Sequence, residues 1–428
     1  MMMETNYFVR YRSIKPLAVL RIAFGAVLFI STVRFIIKGW IHDFYVKPAF
    51  HFPFLEGLHP FGETGMYSLY ALMAIAALFI CIGLFYRIAS VAFFLIFSYA
   101  ELLDKTYYLN HYYLVTIICF LLMLVSAHRY CSIDVLRKPS LKATQVPAWM
   151  ILIFKYQLCI VYICAGLSKL NTDWLFHAMP LRIWLPATSI PLFKYEWVAY
   201  AFSWAGALFD LSIAFLLLNK HTQRVGYLLV VIFHILTAVI FQIGMFPYLM
   251  MSATLIFFPG NLFLRKQESE KQLPVKTQKI FFAILGIHFF IQLLLPFRYL
   301  LYPGTLLWTE EGYRFSWRVM LMEKSGTTFF YVKDPVSGRK FQVDNSAFLT
   351  HYQERMMETQ PDMMLQYAHI LKRQYQQQGI TNPVVTVESY VNLNGSGSHL
   401  YIDSTVNLAN EKESWFAHKK WIIPYNNK

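Results

Sequence analysis

A lysine at the end of a long apolar run is the residue best placed to do chemistry in this sequence. Residues 154–167 are almost entirely apolar, and Lys169 follows them, ahead of a polar and aromatic cluster that ends in Trp174. A lysine beside an apolar segment is costly, because desolvation disfavours its charged form, and a neutral amine can act as a base. Alternatively, Lys169 extends its ammonium to the membrane interface and has no chemical role. Taken alone, the stretch favours this second interpretation.

Polar groups that could share a site with the lysine lie at the ends of other apolar runs or inside them. Asn110 and His111 open one run, where a lone histidine is more often structural than functional. Asp210 and His234 lie inside two later runs, and ionisable residues within a membrane are rare and often functional. These two residues could nevertheless pair only with each other or with backbone. Residues 244–247 (Gly-Met-Phe-Pro) predict a bend between two helices.

The composition places these residues in a membrane protein. Of 428 residues, 57% are hydrophobic and only 14% are charged, and the mean hydropathy is +0.42. A charged share this far below that of soluble proteins indicates several membrane-spanning helices. The net charge of +14 comes from basic residues in short loops between apolar runs, so nucleic-acid binding is not expected. The five cysteines form no CxxC pair and no metal-ligand spacing, so we expect neither disulfides nor a metal site.

A membrane-spanning helix needs about 20 mostly apolar residues, and nine runs approach this length. They lie near 16–38, 66–86, 88–104, 110–128, 148–168, 195–218, 222–241, 243–259 and 278–301. The first run lacks a small-residue cleavage site and is predicted to be a transmembrane helix, not a signal peptide. Only residues 242–244 separate the seventh run from the eighth, which could therefore be a full span or a re-entrant segment.

The distribution of basic residues predicts an orientation. Four basic segments fall on one side of nine spans, and they are residues 10–15, 128–142, 220–224 and 265–279, the last of which is also the nearest thing to a charged linker. By the positive-inside rule the N-terminus is cytoplasmic and the C-terminal part lies outside, on the periplasmic side if the membrane is a bacterial inner membrane. Without the 243–259 span, the C-terminus would lie inside.

From about residue 302 the composition becomes polar and short alternating runs appear. The fold class we predict is a polytopic α-helical membrane protein with about nine spans and a C-terminal extracytoplasmic α+β domain. The domains are residues 1–301 and 302–428. The predicted C-terminal elements are a hairpin at 328–333 and 339–343, helical segments over 346–378 broken at Pro361, and strands at 384–393 and 399–403 joined by residues 394–397.

With this orientation, unusual polar and aromatic residues gather on the outer side of the membrane. They are Asp104, Lys105, Asn110, His111, Lys169, Asn171, Asp173, Gly244, Met245, Phe246, Pro247, Trp308, Thr309, Tyr313, Ser316 and Trp317. Together they outline a cavity that faces both lipid and the outer compartment. The residues alone therefore predict a membrane enzyme or a transporter with a lysine-containing outer site.

Several short segments carry patterns that are specific in combination. In chain order they are Leu102–Thr106 with Asn110 and His111, Arg129–Tyr130 with Ser132–Asp134, Ile160–Tyr162 with Ala165–Gly166, Lys169–Leu170 with Asp173–Trp174, Phe209–Ser212, Phe233–His234, Ile243–Phe246, Trp308–Thr309, Gly312–Tyr313 with Ser316–Trp317, and Asp362–Met363 with Gln366–Ala368. The patterns AGxxKLxxDW at 165–174 and HxxxxxxFxIGMF at 234–246 are the most informative. Over roughly 15–425, the sequence resembles the vitamin K-dependent γ-glutamyl carboxylase family, including bacterial relatives with an HTTM membrane domain.

The resemblance implies a two-part reaction in a lyase that forms a carbon–carbon bond. Reduced vitamin K, a phylloquinol or menaquinol, is deprotonated and oxygenated by O2 to its 2,3-epoxide through a strongly basic intermediate. That base removes a γ-proton from a peptide glutamate, and the carbanion captures CO2. No protein side chain is basic enough for such a C–H bond, so the cofactor has to generate the base. The expected partners are a glutamate-containing peptide or protein and the lipid bilayer.

The resemblance also assigns roles to individual residues. Lys169 corresponds to the family's base, which makes the interfacial interpretation much weaker. His111 corresponds to a histidine near the reacting centre, with Asn110 beside it, and both would hydrogen-bond to the intermediate or the glutamate. Tyr313 matches a tyrosine of the substrate-contacting region. The other expected contacts are Trp317 and, on a weaker alignment, Arg182 for the glutamate, and Trp174, Met245, Phe246 and His234 for the quinol.

Departures from the animal enzymes leave two alternatives to carboxylation. The chain lacks their long additional lumenal region and the cysteine pair that staples them, so propeptide-guided carboxylation is not expected. Met322 stands where they have a histidine, and residues 394–397 have no counterpart. The alternatives are a quinol epoxidase without carboxylation, or a non-catalytic membrane module that binds quinone or protein. A transporter is disfavoured because the polar groups crowd towards one face of the membrane.

Overall fold

The membrane part of the chain folds into a helical bundle that follows the predicted apolar runs. The computed structural model describes residues 8–241, 243–260 and 279–425, so Gln242 of the predicted break and residues 265–278 of the predicted linker lie outside it. The helices are α1 (Lys15–Ile37), α2 (Glu63–Ile82), α3 (Tyr86–Leu102), α4 (Asn110–Leu124), α5 (Ile133–Arg137), α6 (Trp149–Ser168), α7 (Thr172–His177), α8 (Leu181–Trp184), α9 (Glu196–Leu218), α10 (Gln223–Phe241), α11 (Phe246–Thr254) and α12 (Lys279–Leu294).

The helices differ in whether they are long enough to cross a bilayer. Within the described residues, 6 helical segments are long and apolar enough, namely α1, α2, α6, α9, α10 and Ile280–Leu301, which comprises most of α12 and a following 3₁₀ turn. The other three predicted runs form shorter helices, since α3 has 17 residues and α4 has 15. Helix α11 has 9 residues and is extended by a 3₁₀ turn at Leu255–Phe257. Gly244, with a φ of +65°, supplies the left-handed residue of the bend before α11.

A tight turn joins α2 to α3 and is fastened to the loop after α4. Gly83 ends α2 with a φ of +67°, and a Cβ at this position would collide with the side chain of Ser132. The carboxylate of Asp134 accepts hydrogen bonds from the backbone N–H groups of Phe85 and Tyr86, at 2.9 and 3.1 Å. This carboxylate therefore caps the N-terminus of α3, where a negative charge is favourable.

A buried arginine completes this end of the bundle. Arg21 of α1 is fully buried, and its guanidinium donates hydrogen bonds to the carbonyl oxygens of Ile80, Cys81 and Cys131. Two of these carbonyls belong to the last turn of α2, where helix carbonyls have no partner of their own. The guanidinium thus closes α2 and ties it to the loop that carries Cys131.

We expect Arg21→Met to lower the free energy of unfolding by about 2 to 4 kcal/mol, because it removes three hydrogen bonds made by a buried charged group. The measurement is thermal unfolding of the detergent-solubilised protein, followed by tryptophan fluorescence. Arg224→Met is the control, because Arg224 is an exposed arginine of the same bundle. Equal midpoints for the two variants would show that the Arg21 hydrogen bonds do not hold this end together.

Within the described residues, the C-terminal region (residues 302–425) contains helices and a sheet that share a core. Its elements are α13 (Leu306–Thr309), β3 (Lys324–Lys333), β4 (Lys340–Gln342), α14 (His351–Met357), α15 (Pro361–Gln377), β5 (Val384–Leu393) and β6 (Ser398–Leu400), while β1 (Tyr11–Ser13) and β2 (Gln145–Pro147) pair in the membrane part. The sheet is antiparallel with the order β4-β3-β5-β6. Alternation buries Phe330 and Val332 of β3 beside Val385 and Val387 of β5. Helix α15 begins at Pro361, where the sequence predicts the break between two helices.

The C-terminal region is joined to one end of the bundle by hydrogen bonds and by shared cores. Phe52, from the α1–α2 connection, lies in the C-terminal core, and Trp317 lies in the main core of the bundle. The side-chain hydrogen bonds between the two regions include Gln353 to the Phe50 carbonyl (2.8 Å), Gln366 to the Pro53 carbonyl (3.0 Å), Asn394 to Asp173 (2.9 Å), Trp184 to Glu323 (2.6 Å) and Lys105 to Glu413 (2.9 Å). Each region therefore completes the interior of the other.

One buried carboxyl at this junction titrates near neutral pH. Asp104 is 2% exposed and accepts hydrogen bonds from the Thr106 backbone (2.9 Å) and from Gln353 (3.3 Å). Burial raises the pKa of Asp104 to about 6, although these hydrogen bonds oppose the shift. A folded-state pKa above the ordinary value means that stability is full at low pH and is lost as the pH rises from about 4 to about 6.

We expect Asp104→Asn, which stays neutral, to be more stable than the wild-type protein above about pH 6, by about 2 to 3 kcal/mol. The advantage should vanish below about pH 4, where the wild-type carboxyl is also neutral. Thermal midpoints of both proteins across this pH range test the prediction, with the exposed Asp43→Asn as control. A difference that does not change with pH would contradict it.

Candidate active site

Lys169 lies at the C-terminus of α6, and its side chain is directed into the protein. The residue is 6% exposed, and its Nζ lies 2.7 Å from Oδ2 of Asp210 and 3.4 Å from the carbonyl oxygen of Ala165. The ring of Trp174 lies beside the ammonium, with its centroid 5.3 Å from Nζ. The lysine thus makes a buried ion pair and does not extend to the membrane interface.

A glycine lets α6 approach α9 closely enough for this ion pair to form. A Cβ on Gly166 would lie 2.8 Å from the side chain of Leu211 and 2.9 Å from its backbone nitrogen. Only glycine permits this contact, and Leu211 follows Asp210 directly in α9. Asp210 is itself 6% exposed. It pairs with Lys169, and not with His234 or with backbone as the sequence suggests.

The turn between α6 and α7 positions Trp174. The Asn171 side chain caps α7 by accepting a hydrogen bond from the Trp174 backbone N–H at 2.9 Å, and it donates to the Ser168 carbonyl at 2.9 Å. The indole Nε1 of Trp174 donates to the carbonyl of Ser203 in α9 at 2.8 Å. The pattern KLNTDW therefore encodes a capped turn whose tryptophan closes one side of the lysine.

Lys169 and Asp210 border a partly open, mainly apolar space, called here the apolar cavity, with a volume of about 110 Å³. Its walls come from α4, α6, α7, α8, α9, α10, α11, Ile243 and residues 317–320. Of the site residues predicted from the sequence, the structure places Lys169, Asn110, Trp174, His234, Phe246 and Trp317 on these walls. Residues from seven helices and from the C-terminal region are thus brought to one space.

Four predicted residues lie outside the walls of this cavity. His111 contacts Phe246, which lines the cavity, and the centroids of the two rings are 5.5 Å apart. Met245 precedes Phe246 in the chain. Tyr313 follows α13, and its carbonyl accepts a hydrogen bond from the Ser316 hydroxyl. Arg182 of α8 forms an ion pair with Glu196.

Two buried polar atoms on the cavity wall have no hydrogen-bond partner among the described residues. They are Nδ1 of His234 and Nε1 of Trp317, in side chains that are 1% and 2% exposed. The other ring nitrogen of His234 lies 3.4 Å from the Tyr162 hydroxyl. Since buried polar groups normally have partners, these atoms fit a ligand that presents hydroxyl or carbonyl oxygens. The surrounding aromatic side chains suit a flat, apolar ring.

The segment that carries Trp317 has an uncommon backbone conformation. Phe315, Trp317 and Met320 have φ values of +62°, +59° and +57°. Such left-handed conformations cost on the order of 1–3 kcal/mol each for residues other than glycine, and they persist where the surrounding structure holds them. Strain of this kind is commonly found at functional sites.

Hydrogen bonds from the start of α4 hold this segment. The Phe315 N–H donates to the Tyr108 hydroxyl at 2.8 Å, and the Asn110 amide donates to the Arg318 carbonyl at 2.6 Å. In addition, the ring of Tyr113 stacks on Trp317, with centroids 4.9 Å apart. Asn110 therefore positions the cavity wall as well as lining the cavity.

A polar network inside the bundle supports Tyr113 and was not apparent in the sequence. Gln292 donates to the Tyr113 hydroxyl at 2.6 Å and accepts from Gln157 at 3.1 Å, while His288 lies 2.9 Å from Gln157. The only sequence signal was the presence of amide side chains in apolar runs of α6 and α12. Such groups inside a membrane protein need partners from other helices.

The fold and the site define a polytopic membrane protein in which a buried acid–base pair borders an apolar cavity. The family model of the HTTM domain matches residues 10–261, more than half of the chain, and that of the vitamin K-dependent gamma-carboxylase, lumenal domain matches residues 277–428. The chain therefore belongs to the vitamin K-dependent γ-carboxylase family, as the resemblance predicts. No solved structure matches the chain. Membership implies the use of reduced vitamin K, a glutamate-containing protein substrate and membrane association.

Proposed function

We propose that this protein is a γ-glutamyl carboxylase-like enzyme that couples epoxidation of reduced vitamin K to carboxylation of peptide glutamate. The observation that carries the proposal is the 2.7 Å ion pair of Lys169 and Asp210 on the wall of the apolar cavity. An ammonium and a carboxylate that share one proton in an apolar site can exchange it at small cost, because the neutral pair avoids the desolvation of two charges.

The residues of the cavity fit a phylloquinol or menaquinol. The partner-free Nδ1 of His234 and Nε1 of Trp317 suit its ring oxygens, and Trp174 and Phe246 suit the ring itself. Once bound, reduced vitamin K reacts with O2 to form the epoxide and supplies the strong base that removes the γ-proton of glutamate, after which CO2 is added.

The protein moves one proton at Lys169. The ammonium passes a proton to Oδ2 of Asp210, and the neutral amine then accepts the proton of the bound hydroxyl. Lys169 is charged again and stabilises the negative oxygen, while Asp210 keeps the proton it received. The apolar walls exclude water that would otherwise quench a strong base. For His111, Tyr313 and Met245 we propose the roles that the family resemblance implies, whereas Arg182 is held by Glu196.

We also propose nine crossings, a cytoplasmic N-terminus and an outer C-terminal region, in a bacterial inner membrane. Contacts at the two ends of the bundle support this arrangement. Strands β1 and β2 join the basic segments 10–15 and 128–142 at one end, and Lys155 of α6 reaches the Phe257 carbonyl there (3.2 Å). The C-terminal region binds the opposite loops, including residues 50–53 and Asp173.

The proposal is tested with the purified wild-type protein in nanodiscs. Reduced vitamin K, O2, labelled bicarbonate and a glutamate-containing peptide are supplied, and both epoxide and labelled peptide are measured. Epoxide together with label supports the carboxylase. Absence of both products, from folded protein and with either quinol, would refute the proposal and favour a module that only binds quinone or protein.

A second candidate is a quinol epoxidase without carboxylation. One observation favours it, namely that Tyr313 and Arg182, expected to contact the glutamate, do not line the apolar cavity. The same experiment separates the two candidates, since an epoxidase forms epoxide and leaves the peptide unlabelled.

A further inference from the structure

A second and larger cavity lies on the other side of the α6 terminus. Its volume is about 340 Å³, and we call it the polar chamber. The residues on its walls that matter here are Cys164, Ser168, Asp173, Tyr299, Ser316 and Arg318.

The polar chamber and the apolar cavity share one wall, which has two parts. In α6, Ala165 and Lys169 border the apolar cavity, whereas Cys164 and Ser168 border the polar chamber. In residues 316–319, alternate side chains face opposite spaces. Trp317 and Val319 line the apolar cavity, and Ser316 and Arg318 line the polar chamber.

Arg318 is a cation without an anionic partner on the wall of this chamber. Its Cζ lies 4.3 Å from the centroid of the Tyr299 ring, and the guanidinium also hydrogen-bonds to the Tyr299 side chain. Its buried Nε has no hydrogen-bond partner among the described residues. Within the described ranges, no carboxylate oxygen lies within 4.0 Å of the guanidinium. Burial lowers the pKa of Arg318, which shows that its charge is held at a cost.

The chamber also contains one acidic residue, whose carboxylate is held on the side of the C-terminal region. Oδ2 of Asp173 accepts a hydrogen bond from Asn394 at 2.9 Å. The Ser168 and Ser316 hydroxyls donate to the carbonyls of Ala165 and Tyr313. The guanidinium of Arg318 is therefore the one cation on the walls of this chamber, and it has no anionic partner among the described residues.

We propose that the polar chamber binds the side-chain carboxylate of a peptide glutamate and that Arg318 is its partner. A guanidinium offers two parallel N–H donors that match the two oxygens of a carboxylate, and a partly desolvated pair of this kind is strong. The site rests on the proposed function in one respect, because it identifies where the peptide substrate of that reaction is held. This position lies across the wall from Lys169, and in residues 316–319 the wall consists of side chains that alternate between the two spaces.

Peptide binding tests this assignment without any reaction. A short fluorescent peptide with one glutamate and blocked termini is titrated with the full-length protein in nanodiscs, beside the same peptide with glutamine. We expect the wild-type protein to bind the glutamate peptide about 10-fold to 100-fold more tightly. Arg318→Gln should remove this preference, and Arg318→Lys, which keeps the charge and loses the bidentate geometry, should retain part of it.

Two further arginines make the test specific. Arg339→Gln, at an exposed position of the C-terminal region, should leave the preference unchanged. Arg182→Gln examines the alternative glutamate partner, and loss of the preference there with Arg318→Gln unaffected would overturn the proposal. Equal binding of the two peptides by the wild-type protein would also overturn it.

Epoxide formation without peptide separates this inference from the function on which it rests. If the carboxylase function is correct, the KM of Arg318→Gln for the glutamate peptide rises about 10-fold or more in the carboxylation assay, while Arg339→Gln forms epoxide and carboxylates the peptide like the wild-type protein. Failure of epoxide formation in every protein, with the binding preference intact, would refute the function and leave the carboxylate site standing.

Discussion

The variant Lys169→Met is expected to form epoxide from reduced vitamin K on the order of 10³-fold more slowly than the wild-type protein, within the usual range for loss of a general base. Methionine keeps the aliphatic stem that packs beside Trp174 and removes the amine that pairs with Asp210. Binding of the quinol should persist, because the apolar walls and the partner-free atoms of His234 and Trp317 remain.

The control for this variant lies in the same helix. Lys155→Met replaces a lysine of α6 whose Nζ donates to the Phe257 carbonyl, outside the apolar cavity, and it should leave the rate unchanged. The double variant Lys169→Met/Asp210→Asn removes the carboxylate that would otherwise be buried without a partner. The double variant therefore shows whether a lower rate comes from loss of the base or from misfolding. A wild-type rate of epoxide formation in either variant that lacks Lys169 would refute the role of the lysine.

The variant Asp210→Asn is expected to lower kcat for epoxide formation about 10-fold to 100-fold, with little change in KM for the quinol. The amide keeps the shape of the side chain and cannot hold the proton that Lys169 must release. Steady-state rates across a range of pH measure the effect. The pH dependence should also change, since the remaining lysine no longer exchanges a proton with a carboxylate.

A conservative variant distinguishes proton storage from simple support of the lysine. Asp210→Glu restores a carboxylate and should recover part of the rate and of the wild-type pH profile. If Asp210→Asn keeps the wild-type profile and is merely less stable to heat, Asp210 acts as a structural partner alone. Gln157→Leu would not be a suitable control for the loss of a buried polar side chain, because Gln157 belongs to the network that holds Tyr113.

The helices and strands were largely predictable, because their signals are local. All nine apolar runs contain helix, and the strand pair Lys324–Lys333 and Val384–Leu393 has the alternation that the sequence shows. The lengths of the helices were harder to predict from the sequence. Residues 243–259 are apolar throughout, yet the α-helix covers only Phe246–Thr254, because Gly244 and Pro247 delay its start and a 3₁₀ turn follows.

The sequence drew attention to both residues of the Lys169–Asp210 pair but did not predict that they pair. Lys169 and Asp210 are 41 positions apart, and each stands out as an ionisable residue near or within an apolar run. Whether they meet depends on the rotation of α6 and α9, which the contact at Gly166 determines. Nothing in the sequence predicted that Arg318 lacks an anionic partner. Its segment has left-handed φ angles at Phe315, Trp317 and Met320, which residues of these types seldom adopt.

Phe52 of the membrane part lies in the C-terminal core, and Trp317 of the C-terminal region lies in the core of the bundle. This arrangement constrains the order in which the protein folds during synthesis. Phe52 is synthesised long before β3, β5 and α15, which share a core with it, and Trp317 is synthesised after the helices of the bundle whose core it joins. Phe52 therefore stays uncovered during synthesis until the chain beyond residue 302 has been made and has folded. The apolar cavity also needs residues 317–320 for one of its walls. It therefore cannot form before this part of the chain has been synthesised.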